Sequence, residues 1–235
     1  DMGGTETRWA LANPLAEVLA EGVMPGASAL QLSNAEGKIA LSALFVSIAA
    51  EVAAHVAHFG SISFLQAGLT GFSGDHNARE EIKQMLTLAF ALPSAAIAIS
   101  NDIEIAYLDI FEPGTGFLVY AGTGSIAAYM DETRHLHRAG GLGFMLDDGG
   151  SGYWIAREAL KAIWRREDVC PGAWRDSPMA IAVFQQLGGS DWQYTRDFIY
   201  QGNRGEVGKL ALAVSASAEQ DNEAQNILRE AGREL

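Results

Sequence analysis

The chain has 235 residues, of which 49% are hydrophobic, so it can form one large domain or two small ones with buried cores. Its net charge of −13, with no run of Lys or Arg, argues against binding to nucleic acids and to anionic membranes. One cysteine, Cys170, excludes an internal disulfide and an all-cysteine zinc or iron–sulfur site within one chain, and it fits a reducing cytoplasm.

The chain opens with a glycine-rich loop that is followed by an apolar run, in the segment "DMGGTETRWAL". The glycines Gly3 and Gly4 let a backbone approach a ligand closely, and the amides and the hydroxyls of Thr5 and Thr7 can turn towards an anion. Because no strand precedes the loop, we expect the chain to start within a motif, as an excerpt of a longer protein.

Strand and helix signals then alternate, which indicates an α/β sheet with helices packed on it. After a first strand, "EVLAEG", a long helix is predicted from about Leu30 to Phe59. Its most apolar part, Ile39–Ala50, is too short to span a bilayer and is predicted to be buried. A strand over Ile62–Leu69, a helix capped by Ser73 or Asp75 and a strand "AAIAIS" follow.

Asp102 follows this last predicted strand, in "AISNDIEIA". Open α/β sheets bind ligands at the carboxyl ends of their strands, so the carboxylate is a candidate for contact with a substrate. Asp is also favoured in Asx turns and at helix N-caps, which is the simpler interpretation of this position taken alone. A carboxylate beside phosphate-binding loops is what a phosphoryl-transfer enzyme needs to take a proton from an attacking hydroxyl.

A second glycine-hydroxyl segment, "YAGTGSIAAYM", joins the predicted strands Phe117–Ala121 and Ile126–Met130. It is either a plain hairpin turn or a second phosphate-binding loop. Two such loops more than a hundred residues apart suggest two related half-domains, each of which binds part of one polyphosphate. The residues of this hairpin loop are Gly122, Thr123, Gly124 and Ser125.

A longer glycine-rich stretch, "RAGGLGFMLDDGGSGYW", carries the adjacent acids Asp147 and Asp148 and precedes a predicted helix with Ser151 as its cap. It is either a mobile loop or a set of tight turns that hold an acid for hydrogen bonds from sugar hydroxyls. The acids lack the spacing of an EF-hand. From there the chain is predicted to be mostly helical to its end.

Four histidines form two pairs without a third ligand at metal-binding spacing, and we interpret them as structural or surface residues. These are His55 and His58 on the apolar helix, and His135 and His137 on a hairpin arm.

Taken together and in order, "DMGGTETR", "SNDIEIAY", "YAGTGS" and "GGLGFMLDDGGSGYWIAREAL" closely resemble the acetate-kinase, sugar-kinase, Hsp70 and actin superfamily. Within it the chain looks most like the N-acetylglucosamine kinase and BadF/BadG/BcrA/BcrD ATPase family. The resemblance implies an α/β fold of two ribonuclease-H-like domains, 1–105 and 106–235, facing each other across a cleft that binds ATP and Mg²⁺. It implies a cytoplasmic homodimer that phosphorylates the 6-hydroxyl of an amino sugar, N-acetylglucosamine or glucosamine.

The resemblance also assigns roles to residues whose positions match the family's motifs. Asp102 falls where family kinases carry the acid that contacts and deprotonates the sugar hydroxyl. Asp1 would lie near Mg²⁺ through water. The phosphate-binding residues would be Gly3, Gly4, Thr5, Thr7, Gly122, Thr123, Gly124 and Ser125. The sugar-binding residues would be Ser28, Asp102, Thr123, Gly141 and Asp148.

The chain departs from the family pattern at three positions. Leu142 stands where a Trp is common, and Gly149 where a Glu is common. Glu6, inside the first loop, would repel phosphate unless it points outwards. These departures leave the sugar open, and they keep a catalytically weak sugar- or nucleotide-sensing protein as the alternative. The related activator ATPases of radical dehydratases need paired cysteines, which this chain lacks.

Overall fold

The computed structural model describes the backbone of residues 1–235 and all side chains except those of Ala57 and His58. The chain divides into two compact units, Asp1–Glu112 and Pro113–Leu235. Each unit has a hydrophobic core of its own and contains both strands and helices. The predicted mixed α/β class is therefore confirmed.

Unit 1 contains the predicted strand, helix, strand, helix and strand, with an additional strand before them and a short helix after them. Its elements are β1 (Glu6–Ala12), β2 (Val18–Pro25), a 3-10 turn (Ala29–Ser33), α1 (Ala35–Phe59), β3 (Leu65–Leu69), α2 (His76–Phe90), a second 3-10 turn (Ser94–Ala96), β4 (Ile97–Asn101) and α3 (Asp102–Ile110). Helix α1 starts later than predicted because Asn34 caps it, its side chain accepting a hydrogen bond from the Gly37 amide at 2.8 Å. Asp75 is the cap of α2.

Met2 joins the two pairs of strands in unit 1. Strands β1 and β2 form an antiparallel hairpin, and β3 and β4 pair in parallel. Met2 bridges both Thr7 in β1 and Leu69 in β3. Its amide donates to the Gly68 carbonyl at 2.7 Å, and its carbonyl accepts from the Thr70 amide at 2.9 Å. The start of the chain is thereby fixed at the parallel strands.

The prediction that the apolar helix is buried is wrong for one of its faces. Leu41 and Phe45 of α1 lie in the core of unit 1, whereas Ile39 is 70% exposed and Val46 is 55% exposed. By length and composition alone, residues Ala35–Val56 could cross a membrane, although a core helix passes the same test. Sequence could not separate the two faces, because both are apolar and rich in alanine.

Unit 2 starts with a small antiparallel sheet and continues as helices, as predicted. Its elements are β5 (Leu118–Ala121), β6 (Ser125–Met130), β7 (Leu136–Ala139), α4 (Gly152–Val169), a 3-10 turn (Ala173–Asp176), α5 (Pro178–Leu187), α6 (Trp192–Gln201), α7 (Arg204–Ser217) and α8 (Asn222–Glu234). The sheet order is β5-β6-β7. The core of unit 2 is formed mainly by α4, α5, α7 and α8.

A buried carboxylate, Asp221, ties α5 to α8. One of its oxygens accepts from the Ser177 hydroxyl at 2.6 Å and from the Met179 amide at 3.0 Å. The other accepts from the amides of Glu223 and Ala224, at the start of α8. Burial alone would raise the pKa of Asp221, but these hydrogen bonds together hold it below its usual value.

We expect Asp221→Ala to lower the free energy of unfolding by about 2 to 4 kcal/mol, because it removes a helix cap and leaves buried hydrogen-bond donors without an acceptor. Because the folded pKa of Asp221 is lowered, its contribution is complete above the unfolded pKa, and it is lost as the pH falls through the folded pKa. Urea unfolding at neutral and acidic pH measures this effect. Asp191→Ala is the control, since Asp191 occupies the N-cap of α6 without a capping side-chain bond.

Candidate phosphate-binding and catalytic site

Three segments of unit 1 lie at one edge of its sheet. Met2 pairs in parallel with Leu69 of β3, and β3 pairs in parallel with β4. Residues that follow Met2, β3 and β4 therefore leave the sheet at the same edge. They are Gly3 in the first loop, Thr70 after β3 and Asp102 after β4. The sequence-predicted position of Asp102 at the carboxyl end of a strand is confirmed.

Asp102 is the first residue of α3, and the cap of that helix is its neighbour Asn101. The Asn101 side chain accepts from the Ile103 amide at 3.0 Å and donates to the Phe72 carbonyl at 2.9 Å. The Asp102 side chain is half-buried, and its Oδ1 accepts from the same Ile103 amide at 2.9 Å. Within the described residues no hydrogen bond reaches Oδ2. One carboxylate oxygen is therefore held in place while the other can accept a proton.

The first glycine loop is packed tightly against the backbone after β2. The Gly3 amide donates to the Glu6 carbonyl at 3.0 Å, and the Gly3 carbonyl accepts from the Ala27 amide at 3.0 Å. A Cβ atom at Gly26 would lie 2.5 Å from the Gly4 carbonyl oxygen. Gly4 and Thr5 themselves are exposed, and their amides make no hydrogen bond within the described chain. Those two amides can donate to an anion.

Thr7 and Glu6 differ from the exposed Gly4 and Thr5, because Thr7 is buried and Glu6 is ion-paired. Thr7 is 1% exposed, and its hydroxyl has no hydrogen-bond partner among the described residues. Glu6 forms an ion pair with Arg8, whose Nε donates to Glu6 Oε1 at 2.6 Å. The negative charge that would repel phosphate at Glu6 is thus offset by its neighbour.

Ser28 lies beside the turn that follows β3. Its hydroxyl donates to the Thr70 carbonyl at 3.2 Å and accepts from the Leu30 amide at 3.2 Å. A Cβ atom at Gly71, whose φ is +72°, would lie 2.7 Å from the Ser28 hydroxyl oxygen. Ser28 is therefore close to the edge that carries Asp102, with its hydroxyl hydrogen already bound.

The hairpin loop of unit 2 is attached to the start of α4. The carbonyls of Gly122 and Thr123 accept from the amides of Gly152 and Tyr153 at 2.8 and 3.2 Å. The Gly122 amide donates across the loop to the Gly124 carbonyl at 2.8 Å. A Cβ atom at Gly152 would lie 3.1 Å from the Gly122 oxygen, so a side chain there would crowd the hairpin loop.

Within the described residues, two hydrogen-bond donors of this hairpin loop have partners and three do not. The Ser125 side chain is buried and donates to the Gly149 carbonyl at 2.6 Å. With the Gly122 amide bound inside the loop, the unused donors in the described residues are the amides of Thr123 and Gly124 and the Thr123 hydroxyl.

Sequence reasoning missed Arg204, the first residue of α7. Its Nη2 donates to Oδ2 of the buried Asp148 at 2.5 Å, and its guanidinium lies 5.7 Å from the Phe144 ring centre. Burial raises the pKa of Asp148, and Arg204 together with the backbone amides of Gly143 and Ser125 opposes that rise. Nothing in the polar segment "QGNRGEVGK" marks this arginine, which lies 56 residues from Asp148 in sequence.

The residues around Asp148 form a tight loop with an apolar surface. A Cβ atom at Gly141, whose φ is +66°, would lie 2.9 Å from Ile126 in β6. Leu142 is 65% exposed, and Met145 and Leu146 are more exposed than Leu142. A Cβ atom at Gly149 would lie 3.0 Å from the Cβ of Glu234, so α8 occupies the space that a side chain at position 149 would need.

One carboxylate, Asp1, is the candidate for contact with Mg²⁺. No group of three His, Cys, Asp or Glu side chains that could hold a metal occurs among the described residues. Asp1 is exposed at the first loop. Mg²⁺ is usually bound through one or two carboxylates, waters and substrate phosphates, so the exposed carboxylate fits this mode.

The histidines have structural neighbours where their side chains are described. His55 packs against Trp9 with ring centres 5.8 Å apart, and His137 lies 2.8 Å from Asp131. The interpretation of these residues as structural or surface groups is consistent with those contacts. The side chain of His58 lies outside the described residues. Cys170 is exposed and free.

Comparison with known proteins connects this geometry to sugar kinases. The chain is 33% identical over 142 residues to an N-acetylmuramic acid/N-acetylglucosamine kinase of Clostridium acetobutylicum; the match covers 59% of the chain and 45% of that relative. A crystal structure of a proposed N-acetylglucosamine kinase from Chromobacterium violaceum matches with 25% identity and a TM-score of 0.74, over 99% of the chain and 77% of the neighbour. The chain resembles N-acetylglucosamine kinases.

A second solved structure gives the same fold. The proposed N-acetylglucosamine kinase of Porphyromonas gingivalis matches over 98% of the chain and 75% of its own length, with 17% identity and a TM-score of 0.68. No family model matches the chain. The resemblance to N-acetylglucosamine kinases, which the ordered motifs predicted, is confirmed in sequence and in fold. The chain spans less than half the length of the curated relative.

Proposed function

We propose that the protein transfers phosphate from ATP to the 6-hydroxyl of an amino sugar, with N-acetylglucosamine or glucosamine as the preferred substrate. The observation that carries the proposal is the half-buried Asp102, which has one carboxylate oxygen fixed and the other free at the sheet edge that also carries the first glycine loop. The names of the similar proteins support the class of reaction.

In this proposal Asp102 is the catalytic base. Its Oδ2 accepts the proton of the sugar hydroxyl as that oxygen attacks the γ-phosphorus of ATP, and ADP leaves. The Ile103 amide at 2.9 Å from Oδ1 keeps the carboxylate oriented. Most of the rate enhancement in phosphoryl transfer comes from such positioning and from charge stabilisation.

The two glycine loops are proposed to bind the phosphates of ATP. In the first loop the donors are the amides of Gly4 and Thr5, with Gly3 permitting the turn. In the hairpin loop the donors are the amides of Thr123 and Gly124. Ser125 supports the hairpin loop from a buried position by donating to the Gly149 carbonyl, whereas the buried Thr7 hydroxyl has no partner among the described residues. Asp1 would hold Mg²⁺ through water, and the ion would neutralise phosphate charge when bound.

The sugar is proposed to contact Asp102 and the residues that the family resemblance assigns to it. Those residues are Ser28, Thr123 and Gly141. The resemblance also assigns Asp148 to the sugar, but Asp148 is buried and its Oδ2 is bound to Arg204, so we propose that it acts by holding Arg204 and not by contact with the sugar. The predicted boundary at 105/106 falls inside α3, and the chain divides after Glu112 instead; the two units, Asp1–Glu112 and Pro113–Leu235, are proposed to be ribonuclease-H-like. The β2-β1 hairpin joined through Met2 to the parallel pair β3-β4 is consistent with that fold in unit 1.

The proposal is tested by measuring ADP release from Mg²⁺-ATP by the full-length protein. The sugars to compare are N-acetylglucosamine, glucosamine, glucose, N-acetylmannosamine and N-acetylmuramic acid. We expect strong stimulation by an amino sugar and little by glucose. If ATP binds but no sugar stimulates ADP release, the kinase proposal fails and a sensing role is favoured.

A further inference from the structure

We propose that Arg204 is the phosphate-binding cation of the hairpin loop Gly122–Ser125 and that Asp148 is the counter-ion that orients it. The inference rests on the proposed function, because it deepens the role of the same loop. All of the groups concerned belong to unit 2.

The guanidinium lies directly against the hairpin loop. A Cβ atom at Gly124 would overlap Arg204 Nη2, and it would lie 3.0 Å from Asp148 Oδ2. A side chain at position 124 would therefore require Arg204 to move. An anion that reaches the open amide of Gly124 would therefore also reach the guanidinium.

Arg204 is held on one side and open on the other. Its Nη2 is bound to Asp148, whose side chain is 4% exposed, while the Arg204 side chain is 38% exposed. Its Nε is buried and has no hydrogen-bond partner among the described residues. A guanidinium has five N–H donors, so one bond to Asp148 leaves several for phosphate oxygens.

The charges around the hairpin loop explain why a cation is needed there. The open donors of the loop itself are neutral amides and one hydroxyl, and the whole chain carries a net charge of −13. Asp148 offsets the charge of Arg204, so a polyphosphate gains attraction mainly from the charged N–H donors that Asp148 leaves open. Asp148 keeps the flexible Arg204 side chain at one position, which lowers the entropy lost when phosphate binds.

Binding of ATP to Arg204→Gln, measured by calorimetry without sugar, tests the inference. We expect ATP affinity to fall by about 10- to 100-fold, the loss typical of hydrogen bonds to a charged group. Adenosine, which lacks phosphates, serves as the second probe, and its affinity should not change. Arg204→Lys keeps the charge but loses the forked geometry of the guanidinium, so its ATP affinity should lie between those of the wild type and the glutamine variant.

Arg229→Gln is the matched control, because it removes one positive charge from an exposed position on α8 in the same unit. It should leave ATP affinity unchanged. The inference is overturned if Arg204→Gln binds ATP as tightly as the wild type, or if ATP and adenosine are weakened equally, which would indicate a structural role. If the wild type itself binds no ATP, the proposed function fails. If the wild type binds ATP and Arg204→Gln binds it equally well, only the role of Arg204 fails.

Discussion

Asp102→Asn is expected to lower turnover by about two to four orders of magnitude, a range typical of a lost general base. An amide has nearly the same shape as the carboxylate, and it can still accept from the Ile103 amide and keep the start of α3 intact. It cannot take a proton from the sugar hydroxyl. ATP affinity and thermal stability should therefore change little, while the rate constant for phosphoryl transfer falls.

Asp109→Asn is the matched control for this variant. Asp109 lies on the same helix but is exposed near its end, so removing its charge should leave turnover close to that of the wild type. Steady-state kinetics with saturating ATP measure both variants. Near-normal turnover in Asp102→Asn would refute its assignment as the base.

Gly124→Ala is expected to weaken ATP binding by about 10- to 100-fold, because the added methyl group displaces Arg204 from Asp148 and removes hydrogen bonds to charged groups. The displaced guanidinium is the end of a flexible side chain, so we expect the fold to survive. ATP titration monitored by calorimetry measures the effect.

Gly232→Ala provides the comparison for this change. It adds the same methyl group on α8 of the same unit, where a Cβ atom would have no neighbour within 4 Å. That variant should bind ATP like the wild type, with a slightly more stable helix. Unaltered ATP affinity in Gly124→Ala would show that the hairpin loop does not approach the phosphates.

Local patterns in the sequence predicted the elements near the candidate site well. The alternation of apolar runs and caps gave β3, α2 and β4 close to their observed positions, and Ser151 caps α4 as expected. Asp102 could be placed at a strand end because a short apolar strand directly precedes it. These signals lie within a few residues of the features they predict.

Features that depend on distant contacts could not be predicted. Arg204 meets Asp148 across 56 residues of sequence, and no local pattern encodes that contact. The burial of Thr7 and Ser125 likewise depends on which neighbours the folded sheet supplies. A hydroxyl beside glycines is typical of a ligand loop, but the same hydroxyl can support the loop from inside, as Ser125 does through the Gly149 carbonyl.

The exposed face of α1 illustrates the same limit at the level of a whole helix. Its apolar residues occur on all sides, so periodicity gives no direction for burial. Only the packing of Leu41 and Phe45 in the core of unit 1 shows which face is inside.

The most direct test of the account is the identification of the product that the full-length protein makes from N-acetylglucosamine and Mg²⁺-ATP. Phosphorus–proton correlation NMR shows which sugar oxygen carries the new phosphate. The account predicts coupling of the phosphorus to the two protons on carbon 6, together with loss of the product in Asp102→Asn. Phosphate on another oxygen, or the same product formed at the same rate by Asp102→Asn, would contradict it.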